Sequence, residues 1–140
     1  MQGYAYRSPF DPMYHVAFVY GEIGNGREVL TRFHRPNITT EIFTPSRAVT
    51  GALECFRSAG RGVLVYLRDG AAGVPIMPVG GNAVSSEHER MSQWRDIGVG
   101  AQILRDLSIK SIRNLATSKR SFVGLEGFGI ELLSTEQLES

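Results

Sequence analysis

The chain has 140 residues, a formal net charge of +1, 42% hydrophobic residues and 21% charged residues, the ordinary composition of one globular domain with its own core. The even charge balance argues against a nucleic-acid binder, which needs a clearly basic face. The single cysteine, Cys55, excludes an internal disulfide framework and a Cys-rich metal site. There is no apolar run of about 18 residues to span a membrane. The first ten residues have neither the basic start nor the apolar middle of a signal peptide, so the expected location is cytoplasmic.

In chain order, Gly3 to Arg7 alternates well enough for a first strand, and the two prolines of Ser8–Pro12 predict a loop. His15 to Glu22, rich in Val, Phe and Tyr, predicts a strand. Gly24-Asn25-Gly26 predicts a hairpin turn, because Asn-Gly tolerates positive φ, with Glu28 to His34 as the returning strand. His15, at the start of its strand, reads as an edge or core residue with one hydrogen bond rather than a ligand.

Arg35 to Ser46 is polar and reads as a loop. Arg47 to Ala59 predicts a helix with Val49, Ala52, Leu53 and Phe56 as its apolar stripe and Gly60 as its stop. Cys55, beside that stripe and without a paired base, reads as a structural thiol. Gly62 to Leu67 is a continuous apolar run that fits a buried strand. Asp69 to Asn82 is rich in Gly, Ala and Pro and reads as a loop or lid. It has neither a following Lys-Ser/Thr nor a GxGxxG register, so it is not read as a phosphate cradle. Ser85 to Arg90 is a charged lead-in.

Ser92 to Leu133 organises the rest. Ile97, Ala101, Leu104 and Ile109 fall near one face of a helix. Ser108 to Ala116 follows as a strand, with Ile109, Ile112 and Leu115 apolar, and Gly124, Gly127 and Gly129 mark tight turns. The tail after Leu133 is polar and is expected to fray. Strands alternating with helices predict an α/β or mixed α+β class: a twisted mixed sheet with flanking helices, in which ligands sit at strand ends.

Three stretches carry a family resemblance: WRDIGVGAQILRDLSIKSIRNLAT…VGLEGFGIELL, HVAFVYGEIGNGREVLTRFH (His15–His34) and GRGVLVYLRDG (Gly60–Gly70). Together and in this order they resemble GTP cyclohydrolase II, a zinc enzyme of riboflavin biosynthesis, over nearly the whole chain. The resemblance implies that fold over a single domain, residues 1–140. It also implies a domain cut from a longer two-domain protein in which a 3,4-dihydroxy-2-butanone 4-phosphate synthase domain comes first, with a homodimer in the family's manner as the expected assembly.

The resemblance also implies what the site should contain. The family opens the imidazole ring of GTP, releases formate and cleaves pyrophosphate, using a water activated on zinc. Three thiolates hold that zinc, one just after a strand ending in Arg-x-His and two in a Cys-x-Cys pair before the next helix. Here the strand ends Arg32-Phe33-His34, the first thiolate position falls at Asn37, and Ile38–Arg47 contains no cysteine. Cys55 lies too far into the helix to replace either of the pair. No zinc is therefore expected.

Other family positions have drifted as well. A Glu-Gly-Arg segment corresponds to Gly70-Ala71-Ala72, and an Asp-x-Arg pair corresponds to Gln93-Trp94-Arg95. Gln93 cannot take a proton as a carboxylate does, whereas Arg95 is kept. A Thr-Asn-Asn-Pro-x-Lys loop corresponds to Ala116–Ser121, where Lys119 and Arg120 keep positive charge. Arg32, His34, Arg95, Lys119 and Arg120 are the candidate phosphate- or nucleotide-binding residues, GTP or another purine nucleotide being the ligand. The expected function is a structural or regulatory domain, or a nucleotide-binding one, beside the synthase. The alternative is an active GTP cyclohydrolase II, or a hydrolase of a related nucleotide, with a rearranged site whose general base is His34, Glu41 or His88.

Overall fold

The computed structural model describes residues 1–7, 14–36, 38–67, 97–117 and 125–138. They form strands β1 (Gln2–Arg7), β2 (Tyr14–Tyr20), β3 (Val29–His34), β4 (Gly62–Tyr66), β5 (Ser111–Ala116) and β6 (Glu131–Gln137). The helices are α1 (Ile38–Glu41), α2 (Arg47–Ala59) and α3, helical over residues 97–106, with a 3-10 turn at Leu125–Phe128. The strands make one mixed sheet in the order β1-β2-β4-β3-β5-β6. β1, β2 and β4 pair antiparallel, while β4, β3, β5 and β6 run parallel.

Strand alternation assigns the two faces. Ala17, Val19, Val29, Phe33, Val63, Val65 and Ile112 join α3 residues Ala101 and Leu104 in one apolar cluster. Leu30, Leu64 and Leu115 point the other way and pack with Ala52 and Phe56 of α2. The mixed α+β sheet with flanking helices is thus present, with α2 on one face and α3 on the other.

The expected hairpin is corrected. β2 and β3 are not neighbours, because β4 lies between them. β4 is buried at four of its five positions, so its apolar side chains on both faces suit the sheet centre. The Gly24-Asn25-Gly26 turn does form, with Gly24 at positive φ and the Gly26 amide donating to the Ile23 carbonyl. It lies inside a longer connection that steps across two strand spacings, roughly 10 Å. Arg61 clamps that connection, its guanidinium donating to the carbonyls of Ile23 and Arg27. The Gly26 carbonyl accepts from the amides of Lys110 and Ser111. Gly26 itself is at φ 72°, and a Cβ there would run into the Ser108 carbonyl.

Element boundaries agree in places and move in others. The predicted helix α2 is found at its expected limits, with Ser46 as N-cap and Gly60 in the left-handed C-cap conformation. Residues 108–110 do not belong to β5, because they cap α3. Ser108 takes a left-handed φ of 63°, its amide donates to Arg105, and the Ile109 amide donates to Leu104, the double bond of a Schellman cap. Buried Ile109 is therefore the apolar residue after the helix and not part of it. The tail does not fray at Leu133. β6 continues to Gln137 along β5, and the Leu138 amide donates to the Ala116 carbonyl. The Arg35–Ser46 loop contains the single turn α1.

Candidate functional site

Parallel strands β3 and β4 end side by side at His34 and Tyr66. The ends of parallel strands are where α/β sheets place ligands. Arg32 and His34, two residues apart, share the face that carries α2. His34 is 4% exposed and its ring tilts against that of Tyr66, with centroids 5.4 Å apart. Its Nε2 lies 2.7 Å from Glu41 Oε1, and its Nδ1 lies 3.4 Å from an Arg32 terminal nitrogen. The other Arg32 terminal nitrogen donates to the Leu115 carbonyl at 3.3 Å, and buried Arg32 Nε has no partner.

A guanidinium can only donate. Nδ1 of His34 therefore accepts from Arg32, and Nε2 carries the hydrogen and donates to the Glu41 carboxylate. Burial lowers the His34 pKa from its ordinary value; the Glu41 carboxylate opposes this and Arg32 adds to it. Burial likewise lowers Arg32, against the pull of Glu41. The imidazole is thus a neutral bridge between a cation and an anion. Neither nitrogen offers a lone pair to a substrate, so His34 as arranged is not a general base.

The other sequence candidates divide clearly. Glu41 joins His34, as a hydrogen-bond acceptor. His15 is buried on the opposite face of the sheet, beside Ala17 and opposite Tyr6, and is not part of the cluster. Cys55 is half-buried against the α2 cluster, eight residues into the helix and so about 12 Å along its axis from the first turn. Asn37, the Asp69–Asn82 stretch, Gly70, Ala71, Ala72, His88, Gln93, Arg95, Lys119 and Arg120 lie outside the described residues. Sequence reasoning missed Tyr66 and the Leu115 carbonyl as contacts of the cluster. It also missed Asn114, which is fully buried on β5 with neither amide atom hydrogen-bonded.

The GTP cyclohydrolase II family profile matches residues 1–138. The chain belongs to the GTP cyclohydrolase II family. It is 36% identical over 151 residues to the probable bifunctional riboflavin biosynthesis protein RIBA 2 of rice, covering 95% of this chain and 27% of that protein. It is 34% identical over 146 residues to the riboflavin biosynthesis protein RibBA of Bacillus subtilis, covering 92% of this chain and 37% of that protein. Among solved structures it is similar to RibBX, a two-domain 3,4-dihydroxy-2-butanone 4-phosphate synthase from A. baumannii. That match has 25% identity and a TM-score of 0.58, and it covers 99% of this chain and 35% of that one. The chain thus spans between a quarter and two fifths of the length of these relatives.

The donors of this GTP cyclohydrolase II domain do not fit the zinc that the family implies. Zinc in such a site needs several converging thiolate or imidazole ligands. Among the described residues no three His, Cys, Asp or Glu side chains converge. The one cysteine of the chain stands on α2, away from the strand ends. His34 already has both nitrogens engaged, one of them facing a guanidinium.

Proposed function

We propose that this chain is a GTP cyclohydrolase II-like domain without the family's zinc chemistry, which serves riboflavin biosynthesis as a structural and regulatory partner of a 3,4-dihydroxy-2-butanone 4-phosphate synthase domain. The observation that carries this reading is the donor set. The chain has one cysteine, placed inside α2, and its strand-end histidine is saturated by Glu41 and Arg32. Activating water for ring opening would require a metal or a free base, and His34 supplies neither. The synthase half of the reading is supported by the two-domain synthase RibBX, whose fold this chain matches along 99% of its length. It works in the cytoplasm as a homodimer; among the described residues β1 and β6 are the edge strands of the sheet.

The test compares a 3,4-dihydroxy-2-butanone 4-phosphate synthase domain joined to residues 1–140 of this chain with the same synthase domain alone. The reading predicts that removal lowers the melting temperature or the specific activity of the synthase. Identical synthase stability and activity in both forms would refute the partner role.

A second reading, retained nucleotide binding, is favoured by one observation. Arg32 holds a half-buried guanidinium at the strand ends with its Nε unpartnered. A purine nucleotide such as GTP would be held through its phosphates by Arg32 with Arg95, Lys119 and Arg120. Saturable heat on titration with GTP, lost in Arg32→Ala, supports it; a flat titration of the parent protein removes it.

A further inference from the structure

The geometry points to the His34–Glu41 pair, backed by Arg32, as a metal-free cross-link that ties the end of β3 to the α1–α2 segment. This rests on the reading above that the zinc is lost, and it names what holds the same place instead. By the resemblance set out above, the family bridges these two segments with thiolates, one after the strand and two before the helix. Here α1 is a single four-residue turn, too short to persist by its own hydrogen bonds. Thr39 and Thr40 face solvent, as do Ile42 and Phe43, which are 62% and 88% exposed. Ile42 and Phe43 therefore add little apolar burial to hold the segment down. Glu41 reaches back seven residues to His34 with a 2.7 Å charge-assisted bond.

The rest of the cluster is arranged to serve that bond. Tyr66 of β4 packs against the imidazole ring. The Leu115 carbonyl of β5 fixes one arm of Arg32, and the other arm donates to Nδ1. That donation selects the imidazole tautomer whose Nε2–H points at Glu41. The charges of Arg32 and Glu41 offset each other across a neutral ring. A divalent cation at His34 would have to displace one partner and approach a guanidinium. The same three side chains that make the cross-link therefore also keep a metal out.

Native-state hydrogen exchange of residues 38–46, followed by mass spectrometry on the intact protein, tests the cross-link. Glu41→Ala should speed exchange of this segment roughly tenfold or more, the scale of a lost hydrogen bond to a charged group. Glu41→Gln, whose side-chain oxygen can still accept from Nε2, should restore most of the protection. Exchange in α2 should be unchanged in both, which separates loss of the cross-link from loss of the fold. A metal chelator should leave the exchange of the parent protein unaltered. Unaltered exchange in Glu41→Ala, or faster exchange on chelation, would overturn the cross-link. Formate release from GTP by metal-free protein would instead overturn the proposed function and leave the cross-link standing.

Discussion

His34 is a titratable group whose pKa falls on folding, and the sign of its effect on stability follows directly. The folded chain binds fewer protons here than the unfolded chain, chiefly because burial disfavours the imidazolium. Stability from this group is complete above the unfolded pKa, about 6.5, and is lost as pH falls through the lower folded value. Denaturant melts between about pH 7 and pH 5 should therefore show stability declining on acidification. His34→Asn should flatten that slope; an unchanged slope would assign the acid sensitivity elsewhere. Asn114 gives a second test at this scale. It is fully buried, with its amide oxygen and nitrogen unpartnered, and a buried unpaired polar group costs about 1–3 kcal/mol. Asn114→Val, apolar and suited to a strand, should raise unfolding free energy by about 1 kcal/mol; a loss in chemical melts would mean that the amide contributes to the fold. Arg32 and His34 entered as candidates through the family resemblance, and their two-residue spacing in β3 puts them on one face. The Glu41 contact was not legible, since it depends on how the chain returns after β3, and no local pattern encodes that.

The element scale shows where periodicity suffices and where it does not. Helix α2 was legible to its limits, because an apolar stripe, a Ser N-cap and a Gly stop all agree. The hairpin between β2 and β3 was misread because a turn signal specifies a reversal, not the neighbour. The non-local demand of β4 for a site buried on both faces decides the pairing. The fraying expected beyond Leu133 failed for a related reason. β6 is mostly exposed, and it is ordered by its ladder to β5, by Leu132 against the core and by the Arg113–Glu136 ion pair. Ser108 at φ 63° is the left-handed residue of the α3 cap and is exposed, a position where glycine removes the Cβ penalty. Ser108→Gly should therefore stabilise the protein by about 0.5–1 kcal/mol in thermal or denaturant melts; destabilisation would show that the hydroxyl or the side-chain entropy matters more. By contrast, Gly26→Ala should destabilise by more than about 1 kcal/mol, since both the positive φ and the nearby Ser108 carbonyl oppose a Cβ.

At the scale of the whole molecule, the two sides of the sheet have kept what a domain needs: continuous apolar clusters under α2 and α3 and a full strand order. The strand ends have instead kept an Arg–His–Glu cluster in which both imidazole nitrogens of His34 are engaged. That contrast is why family membership was legible in the sequence over nearly the whole chain while the chemistry was not: the fold is written in apolar periodicity, and activity depends on a few donors. The most direct test is formate release from GTP by the purified protein, supplied with magnesium and excess zinc and read beside an active GTP cyclohydrolase II. The account predicts formate no higher than in the enzyme-free control and no stoichiometric zinc after desalting; sustained formate release with zinc retained would contradict it.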